Sequence, residues 1–285
     1  MGWRAMILYF AILFVALYLV FTSLISRRYN STHLVSRIEL LSNSSQHASC
    51  AWDAKETCLP SDAPRALLVT AHPDDECMFF APSIILLRRQ GISVHLLCLS
   101  SGDYYNQGAL RKKELLDSAA VLGIPASQVS LIDHQQLKDD PKAEWSVALT
   151  SSIILKHIQR HSISLVLSFD GSGVSGHANH IALYKALSHL VGTGQIPDSC
   201  HVLALNSISV FRKYLSNMDL YISRLFRSDL LCTIGSKEYN QAKRAMYCHR
   251  SQLVWFRHLY IFFSRYMYIN TYKSILAEKR DFKIY

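Results

Sequence analysis

Five consecutive residues, His72-Pro73-Asp74-Asp75-Glu76, place one imidazole and three carboxylates together. Groups of that kind repel and desolvate one another unless something positive lies among them, and a divalent metal is the simplest such thing. His72 and Asp75 are three apart, a spacing that shares one face of a helix. Both side chains could reach one ion, with Asp74 beside it. A second group follows at Asp170-Gly171-Ser172-Gly173-Val174-Ser175-Gly176-His177-Ala178-Asn179-His180. His177 and His180 are again three apart, at the expected opening of a helix. Four candidate ligands exceed the need of one structural site, which leaves a histidine for acid–base work. Arg111, Lys112 and Lys113 suit contact with an anionic substrate group, and Arg111 and Asp170 are read as substrate contacts. The competing reading for the basic trio is a solvated helix face with an Arg111–Glu114 pair. No G-x-S-x-G elbow supports serine-hydrolase chemistry.

Both groups stand at the carboxyl ends of predicted strands. Arg65 onward alternates: strands over 66–71, 93–99, 129–132, 164–169 and 201–205, with helices over about 77–90, 109–122, 145–160 and 177–190. Repeated strand–helix units imply right-handed crossovers and a mostly parallel α/β sheet with helices on both faces. Ligands bind outside the carboxyl ends of such strands. After 206 the alternation is lost, and 237–270 reads as helical and aromatic-rich within a C-terminal part of about 207–285. Gly171, Gly173 and Gly176 match the dinucleotide fingerprint. However, the strand before them is the fourth, and the next strand closes on Asn206 rather than an acid. Three glycines equally suit a loop passing close to a metal or sugar.

The chain has 285 residues, half of them hydrophobic, and a formal charge of +9. That excess suits an anionic membrane surface or a phosphate-bearing substrate. No Lys/Arg block interleaved with aromatics points to nucleic acid. Seven cysteines without a CxxC pair argue against a disulfide framework and favour a reducing compartment. Residues 6–25 carry no charge and are long enough to span a bilayer as one helix, so 1–26 is read as a transmembrane anchor. Arg27, Arg28 and Arg37 after the span place the rest of the chain on the cytosolic side, which leaves the sequons at Asn30 and Asn43 bare. Residues 27–63 are polar and read as a linker, and the domain begins at 64.

These motifs resemble the LmbE-like (PIG-L) deacetylase family, marked by A-H-P-D-D-E after the first strand and a later H-x-x-H. Here they stand as Ala71 to Glu76 and His177 to His180, and the resemblance covers roughly 65–205. It implies a Rossmann-like fold and a zinc site, with another divalent ion also possible, held by His72, Asp75 and His180. Asp74 would be the general base, and His177 would stabilise the oxyanion and protonate the leaving amine. The anchor and the Cys248–Arg257 tail narrow the implied reaction to removal of an N-acetyl group from phosphatidylinositol-linked N-acetylglucosamine, the second step of glycosylphosphatidylinositol assembly, at the endoplasmic reticulum membrane. Asn179 departs from the Asp that many members carry before the last His. Rival readings are a non-catalytic membrane-anchored binding module and a nucleotide-binding oxidoreductase. The sequence identifies no protein partner.

Overall fold

A computed structural model describes residues 64–140 and 143–276, the strand at 33–36, and scattered helical positions between 3 and 20. The elements are, in order, β1 (His33–Ser36), β2 (Arg65–Thr70), α1 (Asp75–Phe79), α2 (Ala81–Arg89), β3 (Ser93–Cys98), α3 (Gly108–Val121), β4 (Val129–Leu131), α4 (Val147–Arg160) and β5 (Leu165–Phe169). Then come α5 (Gly173–Gly176), α6 (Ala178–Gly192), β6 (His201–Leu205), α7 (Val210–Lys213), α8 (Asp219–Leu225), β7 (Leu230–Thr233), α9 (Ser236–Met246), α10 (Trp255–Phe263) and β8 (Ile269–Ser274).

One eight-stranded sheet runs β1-β7-β8-β6-β5-β2-β3-β4. Strands β4, β3, β2, β5 and β6 are mutually parallel. Their inner members β2 and β5 are largely apolar and, apart from half-buried Arg65 at the start of β2, buried, as a strand covered on both faces must be. From β2 the chain moves outward to β3 and β4, then returns to β5 and moves the other way to β6. Right-handed crossovers in opposite directions put the connecting helices on opposite faces. The reversal lies between β2 and β5, paired through Leu67 and Val166, and it opens a crevice at their carboxyl ends.

Three expectations are corrected. The helix expected over 77–90 is two helices, broken at Phe80 (φ −120°), because Pro82 follows and cannot donate to a continuous ladder. The C-terminal part is not simply helical. β7 and β8 pair antiparallel with each other, and β8 pairs antiparallel with β6. Finally, His33–Ser36, inside the expected linker, pair antiparallel with β7. The rest of 27–63, both sequons included, lies outside the described residues. So does much of the expected span; its described positions are helical and exposed. Among the described residues no helix is long and apolar enough to cross a membrane.

Candidate functional site

The loop leaving β2 turns sharply. Asp74 adopts φ 121°, a left-handed conformation that costs a non-glycine residue about 1–3 kcal/mol. Two neighbours hold it there. Asp75 Oδ2 accepts from the backbone N–H of Ala71 and His72, both at 2.9 Å, and Glu76 Oε2 accepts from that of Asp74 at 3.0 Å. His72 therefore precedes the helix rather than sharing its face, and Asp75 is its first residue. The loop after β5 delivers the other imidazoles. Gly173, at φ +57°, passes so close to His180 that an added Cβ would lie 3.0 Å from the histidine Cβ. Its carbonyl accepts from His180 Nδ1 at 3.1 Å. His177 caps α6, its Nδ1 accepting from the backbone N–H of Asn179.

The two loops bring His72, His177 and His180 together, each able to offer a ring nitrogen within 4.8 Å of the others. Asp75 joins them: its Oδ1 lies 3.1 Å from His180 Nε2 and its Oδ2 lies 3.8 Å from His72 Nδ1. With Asp74 and Arg257 these residues line a cleft of about 400 Å³.

Hydrogen bonding assigns the ring nitrogens. His180 Nδ1 faces a carbonyl and must carry the proton, so Nε2 of the neutral ring is a lone pair aimed at the Asp75 carboxylate. It is buried and has no hydrogen-bond partner among the described residues. His72 Nε2 lies 3.1 Å from Asp139 Oδ1 and 3.1 Å from the Asn179 amide nitrogen. The carboxylate attracts the proton more strongly than a neutral amide repels it, so Nε2–H points to Asp139 and Nδ1 is bare toward Asp75. With both rings neutral, acceptors face acceptors, so the set calls for positive charge, either extra protons on the rings or a metal ion. Two imidazoles oriented through their far nitrogens, plus a carboxylate, are the donor set of a divalent site. Without a metal the charges respond accordingly. Burial would raise the Asp75 carboxyl, but His180 and His72 hold it well below the usual carboxylate range. Burial would lower His72, but the Asp139 hydrogen bond and the Asp75 charge raise it above 6.5. His177 differs: with Nδ1 accepting, its neutral ring presents Nε2–H as a donor. Burial and the two neighbouring histidines lower its pKa to about 4, so it is neutral at pH 7.

Several roles depart from expectation. Arg111 lines the cleft but is engaged, donating to the carbonyls of Pro73 (2.9 Å) and Gly102 (2.8 Å) and to Asp139 (3.0 Å). It braces the motif instead of reaching freely for substrate. Gly102 makes room, since a Cβ there would lie 2.5 Å from the guanidinium carbon. Glu114, the partner Arg111 would have on a solvated helix face, is instead buried and accepts from the Ser251 N–H and hydroxyl. Asp170 does not line the cleft. It accepts from the Ser207 N–H and hydroxyl at 2.6 and 2.5 Å, tying the β5 loop to the β6 loop beside a separate cavity of about 1060 Å³. The Asn179 side chain lies by His72 while its backbone N–H meets His177, and Asp139 supplies the carboxylate beside His72. Sequence reasoning missed Asp139 and assigned Arg257 no role. Arg257 Nη2 lies 2.9 Å from Asp74 Oδ2, across 183 residues of chain.

Fold and cleft together define a Rossmann-like α/β protein with a cation-demanding pocket at its topological switch point. The family model described as PIG-L: GlcNAc-PI de-N-acetylase matches residues 67–191. The N-acetylglucosaminyl-phosphatidylinositol de-N-acetylase of Bos taurus is 51% identical over 213 residues, 75% of this chain and 84% of its own. A probable enzyme of the same name from Schizosaccharomyces pombe is 36% identical over 85% of this chain and 97% of its own. The chain belongs to the GlcNAc-PI de-N-acetylase family. Among solved structures, the N,N'-diacetylchitobiose deacetylase of Pyrococcus horikoshii shares the fold, with a TM-score of 0.56 over 84% of this chain and 93% of its own at 16% identity.

Proposed function

We propose that this protein hydrolyses the acetamide of N-acetylglucosaminyl-phosphatidylinositol, releasing acetate and leaving glucosaminyl-phosphatidylinositol. The relatives that bear that activity's name support the substrate. The observation that carries the chemistry is the pair of bare imidazole nitrogens facing Asp75, with Asp74 and His177 Nε2–H lining the same cleft.

His72, Asp75 and His180 would hold a divalent ion, zinc in this reading. Such an ion supplies Lewis acidity toward both water and the amide carbonyl. Asp74 accepts the proton of the attacking water, and Arg257 at 2.9 Å keeps its carboxylate aimed into the cleft. His177 donates Nε2–H to the oxygen on which charge develops. A neutral imidazole is a hydrogen-bond donor rather than an acid, so the proton delivered to the departing amine is the one Asp74 has taken. This shifts the expected protonation of the amine from His177 to Asp74.

Residues 6–25 anchor the chain in the endoplasmic reticulum membrane as a single span, with the domain from 64 onward on the cytosolic side. The uncharged run and the following arginines support the span and its orientation, and the family resemblance supports the organelle. The test is acetate release from the lipid-linked substrate by full-length protein in vesicles. Release that stops with chelator and returns with zinc is expected. Equal release in chelator would defeat the metal reading, and no release under any condition would defeat the reaction.

A further inference from the structure

α10 is amphipathic in a particular way. Trp255, Phe256, Leu259 and Phe262 form an exposed stripe, while Tyr260 and Ile261 are buried beneath it. Val254, Phe256 and Arg257 line the cleft, so this helix is its lip. Further apolar side chains are exposed on the elements that precede α10 in the chain. Lys213 of α7 lies 5.8 Å from the Tyr260 ring, and α7 projects Val210 and Phe211, 73% and 77% exposed. Arg212 lies 5.1 Å from the ring of Phe226, which is exposed beside Leu225 at the end of α8. By contrast α2, α4 and α6, which cover the sheet, expose no large apolar side chain. The apolar exposure of α10 adjoins the cleft through Val254 and Phe256, and contiguous exposed patches mark interaction sites.

The charge around the patch identifies its occupant. Residues 209–228 carry Arg212, Lys213, Arg224 and Arg227 against Asp219 alone, and Asp219 is buried in contact with Arg212 and Arg265. A second copy of the chain would bring like charge to this surface, which opposes self-association. Tryptophan, phenylalanine and leucine on one helix face, flanked by arginine and lysine, suit the boundary between acyl chains and anionic headgroups. We infer that the exposed faces of α10, α7 and α8 dock against a lipid bilayer and seat the mouth of the cleft at headgroup level. This rests on the reading of the substrate as lipid-linked. Docking brings the sugar to the cleft without extracting the lipid.

The test uses full-length protein in phosphatidylcholine–phosphatidylinositol vesicles, with and without chain-brominated phosphatidylcholine. The quenched emission of the wild type should exceed that of Trp255→Phe; equal quenched amplitudes overturn the proposal. Shielding of Trp255 that follows protein concentration rather than lipid marks a second copy and also overturns it. A W255S/L259S/F262S variant, altered only at residues outside the cleft lining, should raise KM for the lipid-linked substrate in vesicles about tenfold or more. Turnover of a water-soluble glycosyl phosphodiester lacking acyl chains should not change. An unchanged KM, or equal loss on both substrates, overturns the proposal. If the triple variant does not fold, Trp255→Ser alone is read in the same way. Wild-type protein that releases acetate from neither substrate defeats the proposed reaction, while the quenching still reports the docking surface.

Discussion

Two clusters of acids and imidazoles lie on either side of the turn after β2, built from the same residue types and almost touching. On the cleft side, His72, Asp75 and His180 present lone pairs to one another. On the core side, Glu76 and His249 meet at 2.7 Å, and Ser118 donates to Glu76 Oε1 at 2.5 Å. Glu76, Cys77 and His249 are also close enough to share an ion. Yet Glu76 accepts from Ser118, His249 and the Asp74 N–H, and the Cys77 thiol donates to the Asp74 carbonyl. Proximity of ligating types is therefore a poor criterion. The balance of donors and acceptors decides, because a matched cluster is complete and an unmatched one requires a cation. The complete cluster serves the incomplete one, since Glu76 fixes the strained backbone of Asp74.

Substitutions on the two sides should separate accordingly. Asp74→Asn should lower turnover by about 10²–10⁴ and leave metal content unchanged by elemental analysis. Turnover within a few fold of wild type would remove Asp74 from the base role. His72→Ala and His180→Ala should lose metal, whereas His249→Ala should keep it and instead cost about 3–5 kcal/mol of stability, the cost of stranding a buried charge, read by denaturant unfolding. Metal loss in His249→Ala with normal stability would erase the distinction.

The core pair also sets a pH dependence. Burial opposes both charges, but each partner's charge outweighs it, so Glu76 is held below 4.5 and His249 above 6.5. The Glu76 contribution is present above pH 4.5 and lost as pH falls through its lowered value. The His249 contribution is present below pH 6.5 and lost as pH rises through its raised value. Stability from the pair should therefore peak between about pH 4.5 and 6.5, and His249→Ala should flatten the decline above it in thermal melts. The smallest effect is expected from Asp170→Asn. It should cost about 1–3 kcal/mol through the weakened Ser207 clamp, with KM unchanged; a raised KM would return Asp170 to substrate contact.

The parallel half of the sheet was legible because its strands are apolar runs punctuated by glycine and charged loops. The two loops that meet at the switch point were legible for the same reason, since each motif ends such a run. β7 and β8 were not. β8 reads Ile-Asn-Thr-Tyr-Lys-Ser, polar enough to pass for the end of an aromatic helix, and its place is set by pairing with β6 and β7 rather than by local pattern. Asp139 sits in an irregular loop with no periodicity. It is held over His72 through Lys138, whose carbonyl accepts from the Trp145 indole at 2.9 Å. Arg257 was visible as a residue but not as a contact, for nothing within its own helix points to Asp74.

β8 lies between β6 and β7 yet follows every other strand among the described residues. A ribosome making this protein must therefore extrude residues 269–274 before β6 gains its second neighbour, or β7 any connection to the parallel strands. Until then the nascent sheet carries an open hydrogen-bonding edge at β6. A chaperone that shields that edge during synthesis would act on a vulnerability that the finished fold conceals.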